Sequence, residues 1–92
     1  MFSNPRVNVI ESDEGFSIEV EMTRLVYTEG NKKLYIDSEI LASPGNISIS
    51  KKSIRNWLST HEDELIDENK REEIIENIQR AFRWKGEWIT VM

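Results

Sequence analysis

Apolar and polar residues alternate along the first half of the chain, then change period after Asp67. Alternation puts every second side chain on one face of a strand, whereas apolar residues three and four apart share one face of a helix. The cleanest alternating run is Phe16-Ser17-Ile18-Glu19-Val20-Glu21-Met22, which predicts a strand with one apolar and one wet face. Before it, the residues up to Pro5 read as a lead-in and Val7, Val9 and Ile10 as a first strand. Ser12-Asp13-Glu14-Gly15 is a turn signal, so these two strands are expected to pair as a hairpin. Leu25 to Thr28 is a further strand or a continuation of the previous one.

After the turn at Glu29-Gly30-Asn31-Lys32, Leu34, Ile36 and Ile40 alternate with Tyr35, Asp37 and Glu39 in a strand ending near Ala42. Ser43-Pro44-Gly45-Asn46 is a turn, and Ile47-Ser48-Ile49-Ser50 a short strand. Lys51 to Leu58 is too short for a stable helix and reads as a loop or single helical turn carrying Trp57 into the core.

Asp67 to Lys85 then has helical spacing throughout. At about 100° per residue, Ile74, Ile75, Ile78, Ala81 and Phe82 occupy an arc of roughly 120°. Asp67 is placed to cap the first free N–H groups, and Gly86 to end the helix. Leu65 and Ile66 precede the cap as a hydrophobic staple. Glu87 to Val91 closes the chain as a last strand. The expected fold is α+β: a mostly antiparallel sheet with one long C-terminal helix packed on one face, followed by a short strand. The whole, residues 1–92, is a single domain.

Composition narrows the function classes. Seventeen acids against 12 lysines and arginines give a formal charge of −5, which argues against a nucleic-acid binder. Without cysteine there is no disulfide, thiolate metal site or cysteine nucleophile. The N-terminal residues lack the apolar core of a signal peptide, and no apolar run nears the roughly 18 residues of a membrane helix. The expected location is cytoplasmic.

The single histidine, His61, adjoins Glu62, Asp63 and Glu64, but an oxygen-rich loop does not make a metal site without ligands on fixed elements. Nucleophile elbow, glycine-rich phosphate loop and paired catalytic carboxylates are all missing. No enzyme activity, cofactor or metal is therefore expected.

What remains is surface. Between Glu62 and Glu76 lie eight of the 17 acids, interrupted by Lys70 and Arg71. Glu62, Asp63, Glu64, Glu68 and Glu72 form a candidate anionic docking patch for a basic partner. The wet sheet face around Glu19, Glu21, Asp37 and Glu39 is the other candidate. Of the three tryptophans, Trp57 and Trp88 are expected in the core. Trp84 lies at the border of the apolar arc and is a candidate contact residue.

From Tyr27 onward the chain resembles a known family. Tyr27-Thr28-Glu29-Gly30 leads to Ser38-Glu39-Ile40-Leu41, then Pro44-Gly45 and the Ile47/Ile49 strand. Lys52-Ser53-Ile54-Arg55-Asn56-Trp57, Ile66, Ile74-Ile75-Glu76-Asn77-Ile78, Phe82 and Gly86 follow. This order is similar to the small immunity proteins of bacterial polymorphic toxin systems, in particular the family numbered seventy-four. The chain departs from the pattern after the tryptophan, where Leu58-Ser59-Thr60-His61 stands in place of prolines. The resemblance implies a protein that binds and neutralises a cognate toxin inside the cell, without catalysis. The acidic charge suits a toxin with a basic surface. The alternative, from another class, is a structural or regulatory module that forms a homo-oligomer through a sheet edge.

Overall fold

The computed structural model describes residues 1–41, 46–58 and 64–92. Among these, strands β1 (Phe2–Arg6), β2 (Val9–Ser12), β3 (Phe16–Val20), β4 (Arg24–Glu29), β5 (Lys32–Ile40) and β6 (Asn46–Ile49) follow one another. A short 3-10 turn (Lys51–Ser53), helix α1 (Glu68–Trp84) and strand β7 (Trp88–Val91) complete the order. The strands form one sheet in the order β1-β2-β3-β4-β5-β6-β7. Neighbours are antiparallel except the last pair, β6 and β7, which is parallel. Parallel neighbours need a crossover, and the segment containing α1 provides it.

Register fixes the two faces. Ile10 opposes Ile18, Ile18 opposes Tyr27, Tyr27 opposes Leu34, and Leu25 opposes Ile36. These residues line the face that α1 covers, and all are essentially inaccessible to solvent. The predicted helical stripe is the buried one: Ile74, Ile75, Ile78, Ala81 and Phe82. Asp67 caps the helix, its carboxylate accepting from the Lys70 N–H at 2.7 Å. Gly86 follows with φ +82°, a conformation costly for other residues.

The 3-10 turn and the residues after it form the third wall of the core. Ser53 Oγ accepts from the Asp37 N–H at 2.9 Å and donates to the Ser50 carbonyl at 2.7 Å, fastening the turn to β5. Ile54 and Trp57 are thereby held in the core beside Ile66. Arg71 reaches back from α1 and donates to the Ile54 carbonyl at 3.0 Å. A polar seam also joins helix and sheet. Tyr27 is fully buried, yet its hydroxyl donates to Glu29 at 2.8 Å and accepts from Asn77 at 3.0 Å. Arg80 extends the seam to Asn77 and, through both terminal nitrogens, to Glu14 at the β2–β3 turn.

Four expectations need correction. The lead-in is itself strand β1, containing Pro5, which an edge strand tolerates because its N–H is not needed in the ladder. Val7 sits in the turn between β1 and β2 and is 86% exposed. The apolar face of β3 ends at Val20, so Met22 lies in the following bend and is exposed. Trp88 is not in the core: Ile89 and Val91 take the inward positions of β7, leaving Trp88 on the outer face, 68% exposed. The structure also decides between the two readings of Leu25–Thr28, which belongs to a separate strand, β4. Of the staple pair, Ile66 is buried and Leu65 exposed. The predicted turn at Ser43, Pro44 and Gly45 lies outside the described residues.

Candidate partner-binding surfaces

The predicted patch at the helix start resolves into ion pairs. Glu64 bonds to the Lys32 ammonium. Glu72 lies 2.9 Å from Lys51 Nζ, and Glu68 lies 3.6 Å from the same nitrogen and 2.6 Å from Arg71. The Lys51 ammonium holds the Glu72 carboxyl below its ordinary range, and Lys51 is raised in return by Glu72. Glu62, Asp63 and His61 lie outside the described residues. Trp84 is at the other end of α1, about 24 Å along the helix axis from Glu68. There it is half-exposed and packs against Phe2, with ring centroids 5.9 Å apart. The structure thus joins Glu68 and Glu72 around one lysine, seats Glu64 on another, and leaves Trp84 apart from all three.

The face of the sheet opposite α1 is different. One row across it runs Val9, Glu19, Val26, Tyr35, each opposite the next. Val9 and Val26 are buried on this face, outside the cluster that packs under α1. Beside this row Arg24 stands opposite Asp37, its guanidinium stacked 3.7 Å from the centre of the Tyr35 ring. Arg24 also bonds to Glu21 at 2.5 Å. Glu39, opposite Ser48, continues the face toward β7, and Glu11, opposite Ser17, continues it toward β1. Among the described residues, Glu11, Glu19, Asp37 and Glu39 have no ion-pair partner.

Alternation alone places Glu19, Asp37 and Glu39 on this wet face. It does not single out Tyr35, whose role as a stacking platform depends on Arg24 from the neighbouring strand. Lys51 as the counter-charge for two helix acids depends on a contact with no sequence signature. No group of histidine, aspartate and glutamate able to hold a metal occurs among the described residues. No helix among them is long and apolar enough to cross a membrane.

A family model described as Immunity protein 74 matches residues 17–91. No curated protein and no solved structure matches the chain.

Proposed function

We propose, from the premise that this chain belongs to the Immunity protein 74 family, that it binds a cognate bacterial toxin in the cytoplasm and neutralises it without catalysis. The docking surface in this reading is the open sheet face, and the partner surface is basic. The observation that carries the reading is the set of four carboxylates, Glu11, Glu19, Asp37 and Glu39, held on one sheet face without an ion-pair partner among the described residues. Such a set retains its field for a partner, which raises the association rate and rejects acidic surfaces. Tyr35, pinned by Arg24, supplies a flat amphipathic contact at little cost in side-chain entropy. A toxin that acts on nucleic acid has a basic active surface, and the carboxylates would then stand where phosphates bind.

The acids at the helix start, Glu62, Asp63, Glu64, Glu68 and Glu72, are the second docking candidate, together with Trp84 at the far end. The ion pairs of Glu64, Glu68 and Glu72 favour the sheet face over them. The first test is co-expression with the product of the adjacent gene. The wild-type chain should relieve the growth arrest that gene causes and co-purify with its product. Continued arrest in cells that contain the folded chain would refute the reading.

A further inference from the structure

The two edges of the sheet are unlike. β1 carries Pro5, a register shift between Ser3 and Arg6, and the Arg6 charge, all of which hinder a strand from pairing there. β7 carries none of these; its residues are Trp88, Ile89, Thr90 and Val91. The Met92 N–H donates to Ile49 and its carbonyl accepts from Lys51, so the backbone groups of Met92, and by alternation Thr90 and Trp88, point toward β6. Those of Ile89 and Val91 point to the other side, where β7 has no strand neighbour among the described residues. Both side chains pack on the core yet remain partly exposed.

The edge is also self-complementary. An antiparallel copy centred on Thr90 sets Ile89 against Val91 of the other copy and Val91 against Ile89, so the two outward residues of each strand exchange all their hydrogen bonds. On the open face the same register sets Thr90 against Thr90 and Trp88 against Met92. Paired threonines are favourable neighbours across strands, as is methionine sulfur at an aromatic edge. Trp88 and Met92, 68% and 77% exposed, gain cover from each other. The chain's charge of −5 opposes self-association generally, but β7 has no ionisable side chain, and the adjoining Glu87 is paired with Lys85. We propose that a second copy of this chain pairs antiparallel with β7, forming one continuous sheet across a two-fold axis at Thr90. This inference is independent of the toxin reading.

So small an interface gives a weak dimer, so sedimentation equilibrium should span about 10 µM to about 1 mM. The wild-type mass should rise with concentration from 10.8 kDa toward twice that value. Thr90 is exposed, so Thr90→Lys and Thr90→Glu leave the core untouched while opposing like charges at the closest cross-strand position. Each variant alone should remain monomeric, with an unchanged circular dichroism spectrum, and an equimolar mixture should dimerise again. The proposal is overturned if the wild-type chain stays monomeric over the whole range. It is equally overturned if either folded variant associates as well as wild type, or if the mixture stays monomeric.

Discussion

Glu68 and Glu72 share the Lys51 ammonium, and Glu64 rests on Lys32. On the other face of the sheet, Asp37 and Glu39 are exposed and Glu19 partly so, and none of the three has an ion-pair partner among the described residues. In sequence the first group looks the more acidic, because its members crowd together between Glu62 and Glu76. In the folded molecule that crowding is answered by lysines from β5 and the 3-10 turn, which cancel much of the field at short range. The sheet acids are spread over β2, β3 and β5, and folding collects them. Local density of acids therefore indicates where a chain holds itself together as much as where it offers charge to a partner. The helix side is a closed assembly whose changes should register in stability. The open face should register in binding.

The largest effect expected on the closed side comes from its centre. Ile78 is fully buried on α1, and Ile78→Ala should cost about 2–5 kcal/mol in urea unfolding. Glu76, exposed on the same helix, should change stability by less than about 0.5 kcal/mol when replaced by alanine. Equal losses would mean that the helix does not separate a buried stripe from a wet one. Next in size is Asp67, an acid of the helix start whose task is structural. Asp67→Ala should cost about 1 kcal/mol and Asp67→Asn much less, since asparagine also caps. If the two variants lose equal stability, charge rather than capping is what matters there.

A smaller effect is expected in acid. Burial raises the Glu29 carboxyl, but bonds from Lys70 and Tyr27 outweigh it and leave the carboxyl below its ordinary value. Burial likewise pulls Lys70 down, and its bonds to Glu29 and Glu73 raise it overall. A carboxyl that is lower in the folded state binds fewer protons there than in the unfolded chain. Its contribution is therefore complete above the unfolded value and is lost as pH falls through the folded one. Thermal melts below about pH 4.5 should show stability falling with pH, and Lys70→Gln should flatten that slope. An unchanged slope in Lys70→Gln would detach the seam from the closed side.

The sequence makes the helix legible in full, because cap, stripe and terminal glycine are each recognised from residues a few positions apart. Trp57 was legible from its helical spacing with Ile54, although Leu58, which shares that spacing, is 45% exposed. Strand β1 was not, since Phe2-Ser3-Asn4-Pro5-Arg6 has no alternation and is held by pairing with β2. Trp88 was misplaced because its size suggested the core, whereas the strand's phase is set by Ile89 and Val91. The parallel pairing of β7 with β6 has no local signal at all. For the candidate surfaces, alternation gave the face of the sheet carboxylates and the helical period that of Glu68 and Glu72, but neither gave which carboxylates Lys32 and Lys51 would answer.

The most direct measurement is association with the toxin, followed at low and moderate salt by stopped flow. Two triple variants are compared, each checked for folding by circular dichroism: Glu19, Asp37 and Glu39 to lysine, and Glu64, Glu68 and Glu72 to lysine. The sheet-face variant should associate at least about tenfold more slowly at low salt and lose most of its salt dependence. The helix-start variant should stay close to wild type. A sheet-face variant that binds at the wild-type rate, with the helix-start variant slowed instead, would contradict the account and move the docking surface to the start of α1.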